Sequence, residues 1–342
     1  MEVDEKRENN MNYRSVSDLG ASARQLAQSL PGDIDLVVGI PRSGLLAANL
    51  LCLHLDRPMT DVDGLCEERL LQTGHRYDGS VSSFEDIDRV LVLDDSVKSG
   101  TQMTETKARL AEENFSFELE YAAIYISKRG HNFVDHWAEV VDTPRVFEWN
   151  LMHHPMLKHS CIDIDGVLCR DPTADENDDG PKYREFITTV EPQIVPTERV
   201  GWLVTNRLEK YRPETEQWLA EHGIEYEELV MCQASSMEER QRRADHARFK
   251  ARIYDETDAE LFIESDPHQA NEITKYARKP VFCYEANEMF RPGMVAEAYT
   301  KSNDYLSRLA TEPVTFVTRA SMYVASWSYN TVTMAAHKYR NR

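Results

Sequence analysis

Two stretches of this sequence place acids where they could act on a phosphorylated sugar. In the first, the apolar run Val90-Leu-Val-Leu leads into Asp94-Asp95-Ser96-Val97-Lys98-Ser99-Gly100-Thr101. The pattern predicts a buried strand ending in two adjacent carboxylates, then a short loop, then a helix. Backbone N–H groups at a helix N-terminus suit a phosphate, and glycine lets it approach closely. Paired carboxylates beside a phosphate suit the two vicinal hydroxyls of a ribose, so the combination selects a ribose 5-phosphate, with Lys98 adding a cation. One strand-and-helix unit earlier, Gly39-Ile40-Pro41-Arg42-Ser43-Gly44 forms a polar turn in which Arg42 supplies positive charge. The same residues would also make a good surface turn.

The second stretch is Cys161-Ile162-Asp163-Ile164-Asp165-Gly166-Val167-Leu168. Two acids separated by one residue at a strand end point the same way by strand alternation. Near a divalent cation, one can attack phosphorus while the other donates and takes protons. Alone, this pattern also fits a Ca²⁺-loop fragment or an acidic turn. Three further segments follow in order: Leu203-Val204-Thr205-Asn206-Arg207, Lys250 within Ala247-Arg-Phe-Lys-Ala-Arg, and Leu261-Phe-Ile-Glu264-Ser265-Asp266. Taken singly, Lys250 also reads as an ordinary helix lysine.

The elements that must position these residues alternate. Residues 34–40 read as a buried strand, Leu45 to Leu55 as an apolar helix, Arg89 to Leu93 as the end of a second strand, Thr101 to Asn114 as a helix and Glu120 to Ser127 as a third strand. His153 to Ser160 reads as a solvated linker. Its histidines lack a neighbouring cysteine or carboxylate to complete a metal site. Strands are then expected at Cys161 to Ile164, Val200 to Val204, Glu260 to Ile263 and Pro280 to Tyr284, with a helix from Pro213 to His222. Arg170 to Pro181 reads as a mobile acidic loop, and residues 286–342 as a docked extension. The predicted fold class is α/β: two doubly wound, parallel-sheet, Rossmann-like domains over residues 1–155 and 156–285, plus the C-terminal extension over 286–342.

The chain has 342 residues, with 59 acidic and 39 basic side chains and a net charge of −20. That balance repels phosphate backbones and argues against nucleic-acid binding. No run of about 18 apolar residues is present to span a membrane, and Met1 to Asn10 lacks the apolar core of a secretory signal. Six scattered cysteines without a Cys-x-x-Cys pair read as buried free thiols of a cytoplasmic protein.

The first motif resembles the PRPP-binding motif of type I phosphoribosyltransferases, with Ser99 where that family usually has Thr, and Gly39 to Gly44 resembles its pyrophosphate loop. The resemblance covers about residues 12–150. It implies that Arg42, Ser43, Gly44, Asp94, Asp95, Ser96, Lys98, Ser99, Gly100 and Thr101 bind PRPP with Mg²⁺, and that transfer to or from a base-like acceptor passes through an oxocarbenium-like transition state. It further implies a flexible catalytic loop within Asp61 to Ile87, which includes Arg69, His75 and Arg76. His75 reads first as a surface histidine. A variable acceptor hood would come from residues 11–30 and 128–150, with Arg129, His131, His136 and Trp137 as candidates, although a tryptophan is more often core. Such domains often pair as homodimers.

The second motif set resembles the haloacid-dehalogenase (HAD) phosphatase superfamily over residues 159–285, with a small cap or none. That resemblance implies Asp163 as nucleophile, Asp165 as general acid/base, Thr205 with Asn206 on the phosphoryl group, and Lys250 balancing charge. Mg²⁺ would be held by Asp163, Asp165 and Asp266 or Glu264. The family commonly has Gly-Asp, Glu-Asp or Asp-Asp where this chain has Glu264-Ser265, with Asp266 one place later. With so short a stretch between the first two motifs, the first domain or the C-terminal extension is expected to cover the site.

Together the resemblances imply a bifunctional enzyme of nucleotide metabolism that joins phosphoribosyl transfer to hydrolysis of a phosphorylated, nucleotide-like small molecule. Two alternatives stand beside it. One is a PRPP-sensing domain that gates the phosphatase. The other is a polynucleotide-end phosphatase, which the charge and the missing GxxxxGK loop disfavour.

Overall fold

The structure is a computed structural model that describes residues 11–293, apart from Gln72, Arg76, Asp78, Ser80, Ser82 and residues 235, 237, 238 and 240–245. The first lobe is built on a five-stranded sheet ordered β3-β2-β4-β5-β6, from β2 (Leu36–Gly39), β3 (Met59–Asp61), β4 (Arg89–Val97), β5 (Glu118–Ile126) and β6 (His136–Val140). All its pairings are parallel. Val90 to Leu93 are fully buried because helices cover both sheet faces, as a continuous apolar run in a parallel strand requires. These helices include α1 (Val16–Ser29), opened by a Ser15–Asp18 capping box, α2 (Ser43–Leu55), the short α3 (Val62–Cys66) and α4 (Thr101–Leu110).

The second lobe carries a six-stranded sheet ordered β10-β9-β8-β11-β12-β13. Its strands are β8 (Ser160–Ile162), β9 (Val200–Leu208), β10 (Tyr226–Cys232), β11 (Leu261–Glu264), β12 (Val281–Cys283) and β13 (Glu288–Phe290). Only the β12–β13 pairing is antiparallel. Helices α5 (Pro181–Thr189), α6 (Arg212–Glu221), α7 (His246–Glu256) and α8 (Pro267–Ala277) complete it. The expected α/β class with parallel sheets is therefore present in both lobes.

The lobes share a core. Strands β1 (Asn12–Arg14) and β7 (Arg145–Phe147) pair in a separate parallel ribbon. Met11, Tyr13, Val146, Leu151 and Met152 pack in one apolar cluster with Ile162, Leu203, Ile263 and Phe282 of the second lobe. The Tyr13 and Phe282 rings lie 5.4 Å apart. The Tyr13 hydroxyl donates to Asn287 Oδ1 at 3.2 Å.

Several sequence expectations change here. The stretch expected as a solvated linker, His153 to Ser160, holds the end of one 3₁₀ segment, Glu148–His153, and the whole of another, Pro155–His159, with Leu157 buried. The imidazole of His154 caps the second segment by accepting from the Met156 amide at 3.1 Å. The acids of residues 170–181 are tied down rather than loose. Glu176 takes both terminal nitrogens of Arg170, and Asp178 accepts the amides of Gly180 and Tyr183. The second sheet extends past residue 285 through β13, so the start of the expected extension belongs to that sheet. Residues 294–342 lie outside the described residues, as does Arg76. Trp137 is not core: it sits on the edge strand β6 and is 40% exposed. All six cysteines are free, four of them buried. Among the described residues no helix is long and apolar enough to cross a membrane.

Candidate functional sites

In the first lobe the strand does not stop at the acids. β4 runs on to Val97 because β5 pairs with it as far as Ile126, so Asp94 and Asp95 lie inside a ladder and are buried. Adjacent strand residues face opposite sides of the sheet. Asp95 accepts from the Ser43 hydroxyl at 2.9 Å and from Trp149 Nε1 at 2.7 Å. The Asp94 carboxylate accepts the Asp95 amide at 2.8 Å. Burial first, and then the charge of Asp95, push the Asp94 carboxyl up to about 8.

Gly44, in the first turn of α2, brings that helix against the acids. A Cβ there would stand 2.9 Å from the Leu93 carbonyl oxygen and 3.1 Å from Asp94 Oδ1. Gly100 is the N-cap of α4 with φ +78°, a conformation that glycine adopts freely. A Cβ on it would meet the Phe133 ring at 2.4 Å. Ser99 Oγ and Thr101 Oγ1 lie 3.0 Å apart at the mouth of this helix. Ser96 is partly buried, and Arg42, Lys98, Ser99 and Thr101 are exposed. The Ser43 hydroxyl, the Trp149 indole and the first turn of α2 thus meet the two buried acids. Arg69 is engaged on the surface by Asp61 and Glu67, and His75 is exposed. His136 pairs with Glu120 at 2.5 Å on the sheet edge.

In the second lobe the two acids diverge. β8 ends at Ile162, so strand alternation does not govern the pair. Asp163 Oδ2 takes Lys250 Nζ at 2.6 Å, and the same ammonium reaches Glu264 Oε2 at 2.6 Å. Lys250 and Glu264 are fully buried and Asp163 nearly so. Burial works to lower the Lys250 ammonium, but Asp163 and Glu264 outweigh it and hold it above its ordinary value. Burial pushes the Asp163 carboxyl up, while Lys250 opposes that shift. Helix α7 therefore delivers one buried cation to two buried acids.

Asp165 is held by Arg207. Nη2 meets Oδ1 at 2.7 Å, and Nε meets Oδ1 and Oδ2 at 3.1 and 3.2 Å. Arg207 is completely buried, with Cys169 Sγ at 3.3 Å and its guanidinium over the Trp218 ring at 5.9 Å. Gly166, at φ +81°, turns the chain after Asp165, and a Cβ there would meet Ser265 Oγ at 2.3 Å. Thr205 is buried on β9, and Asn206 donates to Gln269 at 3.4 Å. Glu264 Oε1 accepts the amides of Ser265 and Asp266 at 3.1 and 3.3 Å. Asp266 caps α8 by accepting from the Gln269 amide at 2.7 Å.

The structure thus joins Asp163, Lys250 and Glu264 directly and leaves Asp165 in a separate pair. Among the described residues no three His, Cys, Asp or Glu side chains converge as a metal-holding group. The sequence motifs give no role to Arg207, which closes the segment Leu203 to Arg207, or to Trp149. A large polar residue next to a motif strand was the signal for Arg207. Trp149 gave none, since its partner lies 54 positions away.

Residues 11–156 match the family model of the phosphoribosyl transferase domain. No curated protein matches the chain. Among solved structures, the chain is similar to a Helicobacter pylori xanthine-guanine-hypoxanthine phosphoribosyltransferase at 15% identity, covering 42% of this chain and 93% of that one with a TM-score of 0.32. A purine phosphoribosyltransferase from Pyrococcus horikoshii gives 19%, 41%, 93% and 0.31. A hypothetical protein from Neisseria gonorrhoeae with bound ppGpp gives 14%, 41%, 90% and 0.30.

Proposed function

We propose that the first lobe binds PRPP and transfers its phosphoribosyl group to or from a base-like acceptor, and that the second lobe hydrolyses a phosphomonoester at Asp163. One observation carries this reading. In each lobe an interior strand of a parallel sheet leads at its C-terminal end to buried acids, where ligands of open α/β sheets gather. In the first lobe the same strand leads through residues 98 and 99 to the glycine-capped start of α4, which suits a ribose phosphate. The match of residues 11–156 supports the transferase half.

In the second lobe Asp163 Oδ attacks phosphorus, the bond from phosphorus to the ester oxygen breaks, and that oxygen leaves with a proton donated by Asp165 as general acid. Water then cleaves the aspartyl-phosphate, releasing inorganic phosphate and restoring the carboxylate. Lys250 stabilises the charge on the transferred group, and Thr205 donates to it. Asp165, paired with Arg207 and having given its proton to the leaving group, takes the proton of the attacking water.

The oxygen-rich donors fit Mg²⁺, which takes one or two carboxylates plus substrate oxygens rather than a full protein cage. Asp163, the Asp165 carbonyl and Asp266 would hold it. When bound, the ion would neutralise phosphoryl charge.

A second reading is PRPP sensing without transfer. A ³¹P NMR time course with PRPP, Mg²⁺ and pooled nucleobases, for wild type and Asp163→Asn, separates the two. Base-dependent pyrophosphate in both proteins, with phosphate release only in wild type, is the expected result. Tight PRPP binding without pyrophosphate under any base would replace transfer by sensing.

A further inference from the structure

Between the lobes lies a cavity of about 380 Å³, and neither set of acids lines it. That is near the low end of the roughly 300–1,000 Å³ usual for small-ligand sites. Trp149 and Asn150 form part of the first-lobe wall, and Ile194, Phe282, Tyr284 and Asn287 form the second-lobe wall. Three of these six are aromatic, which suits a flat ring. The one carboxylate in the wall, Glu148, already accepts the Val16 amide at 2.6 Å. The wall imidazole of His153 meets Thr197 Oγ1 at 3.2 Å. The chemistry of this wall, with aromatic faces and with Glu148 and His153 already engaged, is that of a neutral, flat heterocycle.

The place of the cavity limits what that heterocycle can belong to. The Tyr284 amide donates to the Glu264 carbonyl at 2.7 Å, so this wall stands beside the acid that holds Lys250. β12 is separated from β8 by β11 alone. Two strand spacings are about 10 Å, a span that a ribose bridging phosphate and heterocycle matches.

We propose that this cavity holds the heterocycle of a nucleoside monophosphate whose phosphate sits at Asp163. The proposal rests on the hydrolase reading of the second lobe and deepens it. The first lobe then supplies part of the substrate pocket that a large cap would otherwise provide.

The test uses the full chain, with phosphate release measured from the four common ribonucleoside 5′-monophosphates and from p-nitrophenyl phosphate. The latter has no sugar spacer, so its ring stays beside Asp163. Ile194→Trp fills the cavity, and Tyr284→Ala removes one aromatic wall. Thermal melts establish that each variant is folded. The expected result in both is a KM raised about 10-fold for the preferred nucleotide, with kcat/KM for p-nitrophenyl phosphate unchanged. An unchanged nucleotide KM in folded variants, beside measurable wild-type hydrolysis, overturns the pocket and leaves the hydrolase reading intact. A change confined to base-dependent pyrophosphate release also overturns it, by assigning the cavity to the first site. Absence of phosphate release from every substrate overturns the hydrolase reading itself and the pocket with it.

Discussion

Trp149 Nε1 donates to Asp95 Oδ2 at 2.7 Å, which fastens the acid pair of the first lobe to the segment leading into the second. Trp149 also stacks on Phe147, with ring centroids 4.9 Å apart and planes 1° from parallel. Its near neighbours Leu151 and Met152 belong to the core shared by both lobes. A change at Asp95 therefore has a direct mechanical path into that core.

Trp149→Phe keeps the stack and removes the donor. A buried carboxylate oxygen left without a partner costs about 1–3 kcal/mol. The expected outcome is a melting temperature lowered by several degrees and a weakened calorimetric affinity for PRPP. An unchanged melt together with unchanged PRPP affinity would show that the hydrogen bond carries no energy.

Asp94 sets a pH dependence. Its folded-state value, pushed up to about 8, lies above the ordinary 3.8. Between those values the folded protein holds a proton that the unfolded chain has released, so this group lowers stability as pH rises through the window. Asp94→Asn keeps the shape and removes the titration. The melting temperature of the variant relative to wild type is expected to climb from pH 5 to pH 8.5, by the equivalent of on the order of 4 kcal/mol. A difference that stays flat across that range would place the proton elsewhere.

The sheets were legible because apolar runs and glycine turns are local signals. Val90 to Leu93 and Leu261 to Ile263 could be placed as strands from their residues alone. The acids and glycines that follow those strands were legible as candidates, and Lys250 only through its order in the sequence. What stayed hidden depends on contacts distant in sequence. Strand β4 continues through two acids because β5 supplies a ladder partner, which no local hydropathy reports. Arg207 lies 42 positions from Asp165, and Tyr13 packs on Phe282 from the opposite end of the described chain. The short ribbon of β1 and β7 has three residues in each strand, too few for periodicity to register.

Lys250 bridges two buried acids, so its removal should be costly. Breaking such a group by deleting one partner costs roughly 3–5 kcal/mol, because charge is left buried and uncompensated. Lys250→Met is expected to lower the urea midpoint markedly and abolish phosphate release. Adding Glu264→Gln should recover part of the stability and none of the activity. If the double variant is no more stable than the single one, the two acids do not share the lysine as the geometry indicates.

The shared core makes a prediction about separability. Tyr13 and Val146 of the ribbon, with Leu151 and Met152, cover apolar side chains of the second lobe that would otherwise meet water. Fully burying a large apolar side chain contributes about 1.5–3 kcal/mol, so losing four such neighbours removes an amount comparable to the 5–15 kcal/mol stability of a whole domain. A fragment spanning residues 156–290 is therefore expected to unfold well below the full chain and to aggregate or bind hydrophobic dyes. Its phosphate release should be lost or severely reduced. A longer fragment that retains Leu151 and Met152, beginning at residue 144, should recover only part of the difference, because Tyr13 remains absent. Thermal melts of the three proteins at equal concentration decide it. Equal melting temperatures would mean that the two lobes fold independently and that the ribbon packs on the second sheet without stabilising it.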